Sequence, residues 1–122
     1  MICMILVVED DPALLEEARK ILNRDRRVFL AANAKQAFKL AEDLGFSVAL
    51  VDLDLRGQSG FELIREMRLR FPDLPVIAIC GSLQGDLLES VRDIGAVEVL
   101  QKPITPAWKA IVERVRATAH RL

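Results

Sequence analysis

Five short apolar runs alternate along the chain with segments in which apolar residues recur every three or four positions. The apolar runs extend over Ile5 to Val8, Val28 to Ala31, Val48 to Asp52, Val76 to Cys80 and Val97 to Leu100. Short, mainly aliphatic runs that end in turn residues are typical of parallel strands covered on both faces. We therefore predict five buried parallel strands, numbered here in chain order.

The segments that follow these runs carry apolar residues at helical spacing, which predicts five amphipathic helices. Their predicted apolar faces are formed by Leu14, Leu15, Ala18, Ile21 and Leu22; by Ala34, Ala37, Phe38, Ala41 and Leu44; by Phe61, Ile64, Met67, Leu69 and Phe71; by Leu87, Leu88, Val91 and Ile94; and by Trp108, Ile111, Val112, Val115 and Ala119. Asp11 and Asn33 are good N-cap residues for the first two helices. Gly45 and Gly95 are predicted to end the second and the fourth.

The fivefold alternation of strand and helix predicts a single α/β domain over residues 1–122. Each crossover between parallel strands is right-handed, so that each helix lies on one face of the sheet or the other. The predicted architecture is a doubly wound, five-stranded parallel sheet with five helices, arranged in three layers.

Charge and composition narrow the classes of function. The chain has 17 basic and 18 acidic residues, a net charge of -1, so it lacks the basic surface typical of binding to nucleic acid or to an anionic membrane. Apolar residues make up 52% of the chain but occur in short runs, which predicts no membrane span. The N-terminus has no basic leader, which predicts a cytoplasmic protein. Cys3 and Cys80 lie in apolar runs and are predicted to be buried thiols rather than a disulfide.

Charged and turn residues stand where four of the predicted strands end. They are Glu9 and Asp10 after the first strand, Asp52 at the end of the third, Gly81 and Ser82 after the fourth, and Lys102 after the fifth. In doubly wound sheets, ligands bind beyond the carboxyl ends of the strands, where the strand order reverses. If the first and third strands are neighbours, these residues converge on one site.

The residue types at this edge favour a cation and an anion. Three carboxylates close together raise one another's pKa and cost stability unless a cation is present. Oxygen ligands without His or thiolate suit magnesium, so Glu9, Asp10 and Asp52 predict a divalent-metal site. Lys102 adds a compact positive charge suited to an anion, such as a phosphoryl group, held against Asp52. Taken alone, Asp52 is equally compatible with a simple turn residue.

Four motifs, each at a strand end and in the correct order, resemble the receiver domain of two-component response regulators. They read Val-Val-Glu-Asp, Val-Asp-Leu-Asp-Leu-Arg-Gly-Gln-Ser-Gly, Leu-Pro-Val-Ile-Ala-Ile-Cys-Gly and Gln-Lys-Pro. The resemblance covers essentially the whole chain. It implies a flavodoxin-like sheet with the strand order 2-1-3-4-5.

The resemblance also implies roles for single residues. Asp52 is the implied phosphoacceptor, and Lys102 is its implied partner once phosphorylated. Glu9 and Asp10 are implied to help hold Mg²⁺ or Mn²⁺, and the backbone carbonyl of Asp54 is implied to complete the metal's protein ligands. The resemblance also implies a cis peptide bond between Lys102 and Pro103, which is common in this family. Cis peptide bonds occur almost exclusively before proline.

The implied function is that of a regulatory phosphoacceptor domain rather than an enzyme. A sensor histidine kinase or a histidine phosphotransfer protein is the implied partner, donating the phosphoryl group of a phosphohistidine in line to Asp52. No direct contact with nucleic acid or membrane is expected, and a homodimer is compatible with the sequence. The output partner stays open, as does the choice between a stand-alone regulator and part of a longer protein. His120, near the C-terminus, is predicted to be solvent-exposed rather than part of a phosphorelay.

The sequence departs from the family at the fourth and fifth strands. Cys80 stands where receivers usually carry Thr or Ser, and a thiol is a weaker hydrogen-bond donor than a hydroxyl. Ser82 is a candidate substitute. Cys80 is expected to be inert and buried, with a thiolate favoured by Lys102 as the alternative. Val99 replaces the Tyr or Phe that switches in many receivers, and Arg56 replaces a frequent proline.

Three other functions remain as alternatives. A pseudo-receiver that works through its surface without phosphorylation is suggested by Cys80 and Val99. The Asp-x-Asp sequence at Asp52 is similar to that of haloacid-dehalogenase-type phosphatases, but in those enzymes it ends the first strand. A flavodoxin-like cofactor binder would need a phosphate-cradling loop after the first strand, where Glu9, Asp10 and Asp11 would repel a phosphate.

Overall fold

The computed structural model describes residues 3–22 and 26–119 and contains five strands and five helices in alternation. The strands are β1 (Cys3–Val8), β2 (Arg26–Ala31), β3 (Val48–Asp52), β4 (Val76–Cys80) and β5 (Glu98–Gln101); the helices are α1 (Pro12–Leu22), α2 (Ala34–Asp43), α3 (Gly60–Arg70), α4 (Leu87–Asp93) and α5 (Ala107–Ala119). All paired strands are parallel, in the order β2-β1-β3-β4-β5. The predicted fold class and strand order are confirmed.

The central strands are buried on both faces because side chains that alternate along each strand enter two separate cores. One core contains Leu6, Val8, Ala49, Val51, Ile64, Met67 and Ala78. The other contains Ile5, Val7, Val48, Leu50, Ile77, Ile79, Trp108 and Val112. This double burial is the physical reason why β1, β3 and β4 are continuous apolar runs rather than alternating ones.

Side-chain caps begin the first two helices as predicted. The Oδ1 of Asp11 accepts a hydrogen bond of 3.0 Å from the amide of Ala13, and the Oδ1 of Asn33 accepts one of 2.9 Å from the amide of Gln36. These oxygens satisfy amides that have no partner inside the first turn. Gly95 follows α4 with a φ of 110°, a conformation that favours glycine.

Two predicted core positions are wrong, and the element bounds shift slightly. Leu69 is 78% exposed, because it follows the buried Met67 by two positions, which is about 200° around a helix. Val97 is 45% exposed and precedes β5, although its amide still donates to the carbonyl of Val76 at 2.9 Å. α2 ends at Asp43, ahead of Gly45.

Two sequence predictions concern side chains outside the described part of the structure, those of Cys3 and Ala119; His120 lies outside the described residues altogether. Within residues 3–22 and 26–119, no helix combines the length and the apolar composition needed to cross a membrane.

Candidate functional site

The carboxyl ends of β1 and β3 lie side by side, which brings Glu9 and Asp52 together. Both side chains are buried, each with 1% of its surface exposed, and they are the buried charged residues of the described chain. Asp52 pairs in register with Ile79, so Cys80 lies one residue further along the neighbouring strand. The amide of Lys102 donates to the carbonyl of Cys80 at 2.8 Å, which fixes the start of the loop after β5.

Lys102, the residue that follows β5, brings a positive charge to Asp52 and Glu9. Its Nζ donates to the Oδ2 of Asp52 at 2.8 Å and lies 3.6 Å from the Oε2 of Glu9. The other oxygen of Asp52, Oδ1, accepts a hydrogen bond of 2.9 Å from the amide of Asp54. Both oxygens of the Asp52 carboxylate are therefore held by positively polarised donors at the sheet edge. The Lys102–Pro103 peptide is cis, as expected.

These contacts keep Asp52 ionised. Burial raises the pKa of Asp52, but hydrogen bonds from Glu9, Lys102 and the Asp54 amide outweigh it and hold the pKa below its ordinary value. Partial burial lowers the pKa of Lys102, but its hydrogen bond and charge attraction to Asp52 outweigh this effect and raise the pKa. The pair is a carboxylate and an ammonium at neutral pH.

Glu9 shows the opposite behaviour. Burial, followed by hydrogen bonding to Asp52, raises the pKa of Glu9 from 4.5 to about 8. Its Oε1 accepts a hydrogen bond of 3.0 Å from the amide of Asp11, while its Oε2 is buried and finds no hydrogen-bond donor among the described residues. The 3.6 Å from Oε2 to Lys102 is an ion-pair distance but too long for a good hydrogen bond. Without a cation, Glu9 is therefore largely protonated at neutral pH.

Replacing Glu9 with glutamine is expected to stabilise the metal-free protein at pH 8 by roughly 4 kcal/mol. The raised pKa means that the folded state binds the Glu9 proton more tightly than the unfolded state does. The stabilising contribution of that proton is therefore complete below pH 4.5 and is lost as the pH rises toward 8. Glutamine is uncharged at every pH and escapes this loss. Urea denaturation in EDTA at pH 5 and pH 8 measures the difference; a variant that is less stable than the wild type at pH 8 would contradict the assignment.

The side chain of Asp10 contacts the loop between β3 and α3 rather than Lys102 or Asp52. Its Oδ2 accepts a hydrogen bond of 2.6 Å from the amide of Arg56 in the loop between β3 and α3. Across the described part of the chain, no three His, Cys, Asp or Glu side chains are gathered closely enough to hold a metal ion. The donors nevertheless suit Mg²⁺, since they are all oxygens and the buried Oε2 of Glu9 accepts no hydrogen bond from the described residues.

Cys80 and Ser82 occupy different environments. Cys80 is a buried free thiol whose pKa is raised by burial and then by the charges of Asp54 and Asp52. These effects outweigh the attraction of Lys102 and so disfavour the thiolate alternative. Ser82 lies on the exposed loop after β4. Val99 is half-buried and packs against the core that contains Val51.

Asp54 lies at the open mouth of the site. Its side chain is exposed, and its Oδ2 lies 3.7 Å from where a Cβ on Gly81 would stand. This carboxylate therefore faces the end of β4 across the site. Arg56 is likewise exposed on the same loop.

Two residues near the site make structural contacts that were not predicted from the sequence. A Cβ on Gly60 would lie 2.4 Å from the carbonyl oxygen of Asp52, so glycine lets α3 pack against the end of β3. Gln58 belongs to no recognisable sequence motif. Its Oε1 accepts a hydrogen bond of 3.1 Å from the amide of Ala34, which lies 24 residues away in the sequence. A glycine at the first position of a helix that follows a buried strand can be recognised from the sequence as a site of close packing. A long-range contact of a glutamine cannot be recognised in this way.

Comparison with known proteins gives a consistent result. The response regulator receiver domain family matches residues 5–116. The sensor histidine kinase AruS of Pseudomonas aeruginosa is 34% identical over 105 residues, covering 82% of this chain and 10% of that protein. A response regulator receiver protein of Anaeromyxobacter is 33% identical over 101 residues, covering 81% of this chain and 42% of that protein. The chain thus spans less than half the length of these two relatives.

Solved structures agree with this match. The crystal structure of a CheY-like receiver domain protein from Methanospirillum hungatei superposes with a TM-score of 0.84 at 26% identity, covering 98% of this chain and 94% of that chain. The family match, the sequence relatives and the structural neighbour all identify the same kind of domain. The chain belongs to the response regulator receiver domain family.

Proposed function

We propose that Asp52 accepts a phosphoryl group from a phosphohistidine on a sensor histidine kinase or histidine phosphotransfer protein. The observation that carries this proposal is the pair of hydrogen bonds that hold the two oxygens of a buried, ionised Asp52, one from Lys102 Nζ at 2.8 Å and one from the Asp54 amide at 2.9 Å. A carboxylate held at an open sheet edge is a preorganised nucleophile.

The proposed reaction forms a bond between phosphorus and a carboxylate oxygen of Asp52. The phosphorus–nitrogen bond of the donor phosphohistidine breaks, and the imidazole leaves with the bonding electron pair. Such transfer depends on alignment and on neutralising the charge of the phosphoryl oxygens. Lys102 is placed to supply that neutralisation, because its ammonium group already contacts Asp52.

The chain's oxygen donors support a divalent cation in this role. We assign Glu9, Asp10, Asp52 and the backbone carbonyl of Asp54 as the residues that would hold Mg²⁺ or Mn²⁺. When bound, the cation supplies positive charge to the phosphoryl oxygens. Glu9 would have to lose its proton to act as a ligand, since a ligating carboxylate must be ionised.

The contact that β4 makes with the phosphoryl group is proposed to be weak. Cys80 offers a thiol, which is a poor donor, and its raised pKa keeps it protonated. The exposed hydroxyl of Ser82 is the proposed substitute donor, from the loop that follows. Val99 has no aromatic ring to reorient, so the output is proposed to use a route other than an aromatic switch at this position.

We further propose that residues 1–122 act as one regulatory domain in the cytoplasm, where kinase phosphodonors are made. Its output partner is proposed to be selected by surfaces away from Glu9, Asp10 and Asp52, because these residues are assigned to the cation and phosphoryl site. The matched region is a minor part of a sensor kinase in one relative, so both separate and tethered arrangements with a kinase are compatible with the sequence.

The test is phosphorylation by a small donor. Incubation with acetyl phosphate and magnesium is expected to add the mass of one phosphoryl group to the wild type, because the site needs no kinase residue to position Asp52. EDTA should prevent the addition, and Asp52→Asn should abolish it. Intact-mass spectrometry gives the readout.

Asp73→Asn is the matched control, since Asp73 is exposed in the loop between α3 and β4, and it should be phosphorylated as the wild type is. Phosphorylation that persists in Asp52→Asn would refute the assignment of the acceptor. A wild type that is neither phosphorylated nor able to bind magnesium would favour a pseudo-receiver acting through its surface.

A further inference from the structure

The loop between β3 and α3 is tied to two distant parts of the chain by hydrogen bonds. The amide of Arg56 donates to the Oδ2 of Asp10 at 2.6 Å. Two residues later, the Oε1 of Gln58 accepts from the amide of Ala34, the first residue of α2, at 3.1 Å. The first hydrogen bond holds the side chain of Asp10, and the second connects the loop to the start of α2.

The loop has little else to fix it between these two ties. Leu55 is buried and anchors the preceding segment, but Arg56, Gly57 and Ser59 are exposed. Gly57 has a φ of 73°, a conformation that glycine adopts without the steric cost that other residues meet. The side chain of Ser59 caps α3, so the half-buried Gln58 is the side chain that connects this exposed stretch to an element other than α3.

The start of α2 offers Gln58 a firm attachment. Separate side-chain oxygens satisfy amides in and just before the first turn of α2: Asn33 accepts from the amide of Gln36 at 2.9 Å, and the Gln36 side chain accepts from the amide of Ala32, which precedes the helix, at 2.8 Å. Gln58 supplies the acceptor for the amide of Ala34, the first residue of the helix. The amides of a first helical turn lack partners inside the helix, so an oxygen acceptor there is held strongly.

We propose that Gln58 is a positioning residue for the cation and phosphoryl site: its bond to α2 holds the loop so that the Arg56 amide keeps the Asp10 carboxylate oriented. Gln58 acts through Arg56 and touches neither the acceptor nor the ligand. The inference rests on the proposed function, because Asp10 is a ligand only if the site binds a cation.

Gln58→Ala is expected to weaken Mg²⁺ binding roughly tenfold, the size of effect seen when a residue that orients a metal ligand is removed. Gln58→Glu should bind nearly as the wild type does, because it keeps an acceptor oxygen at the positively polarised start of α2. Isothermal titration calorimetry with magnesium chloride measures both dissociation constants.

Asn33→Ala is the matched control. It removes a different cap from the same helix start and leaves the Gln58 contact in place, so it should lower thermal stability while binding Mg²⁺ as the wild type does. Equal weakening in Asn33→Ala and Gln58→Ala would overturn the inference, because loss of helix stability would then explain both. Unchanged binding in Gln58→Ala would overturn it as well.

Hydrogen exchange of the Arg56 amide in the metal-free protein separates this inference from the proposed function. Faster exchange in Gln58→Ala than in the wild type and in Asn33→Ala supports the anchoring of the loop by Gln58. Unchanged exchange overturns the anchoring. A wild type that binds no magnesium overturns the proposed cation site itself, and the exchange rates then still decide whether Gln58 holds the loop.

Discussion

Replacing Gly60 with alanine is expected to lower the free energy of unfolding by about 3 kcal/mol, at the upper end of the usual cost of overpacking. The new Cβ would lie 2.4 Å from the carbonyl oxygen of Asp52 and 2.5 Å from the Cα of Leu53. Both obstacles are backbone atoms, so α3 must move away from the end of β3. In an open helix the same change would be favourable, since alanine has the higher helix propensity. Urea denaturation measures the loss.

Gly45→Ala is the control, because no atom lies within 4 Å of a Cβ built there. Its stability is expected to stay within about 0.5 kcal/mol of the wild type. Since displacement of α3 also disturbs Asp52 and the loop after it, Gly60→Ala should be phosphorylated more slowly, whereas Gly45→Ala should not. Equal stability of the two variants would contradict the close packing of α3 against β3.

Replacing Lys102 with alanine is expected to destabilise the metal-free protein by about 3 kcal/mol at pH 8, the cost of leaving a buried charge without its partner. Lys102 helps hold the pKa of Asp52 below its ordinary value of 3.8. The stability gained from this interaction is therefore present above that value and is lost as the pH falls through the lowered pKa. Wild type and variant should thus converge in stability as the pH falls below 3.8 and through the lowered pKa of Asp52.

Magnesium should restore part of the stability of Lys102→Ala, because a bound cation would replace the missing positive charge. Lys39→Ala, a change at an exposed position of α2, should leave stability nearly unchanged. The comparison is made by urea denaturation at several pH values, with EDTA or with magnesium. A loss in Lys102→Ala that does not vary with pH would contradict the pairing with Asp52.

The fold was predictable from the sequence because two simple periodicities dominate it. Val48 to Val51 and Val76 to Ile79 are apolar without interruption since both faces of the sheet are covered. Asp11 and Asn33 mark helix starts through hydrogen bonds to nearby amides, which depend only on local spacing. The approach of Glu9 to Asp52 followed from the same topology, since neighbouring parallel strands end at one edge.

Features that depend on distant atoms were not predictable in this way. The sequence prediction placed Leu69 on the apolar face of the third helix, but the helix turns this side chain toward solvent. Asp10 shares the sequence context of Glu9, yet its carboxylate faces the Arg56 amide. The Gln58 contact spans 24 residues, and only the folded loop brings its two atoms together.

The measurement that tests the central claim most directly is identification of the phosphorylated residue. Wild-type protein treated with acetyl phosphate and magnesium is reduced with borohydride, which converts an aspartyl phosphate to homoserine, and is then digested and sequenced by mass spectrometry. The account predicts homoserine at position 52, with Asp10 and Asp54 unchanged. Homoserine at Asp10 or Asp54, with Asp52 intact in a protein whose mass shows phosphorylation, would contradict it.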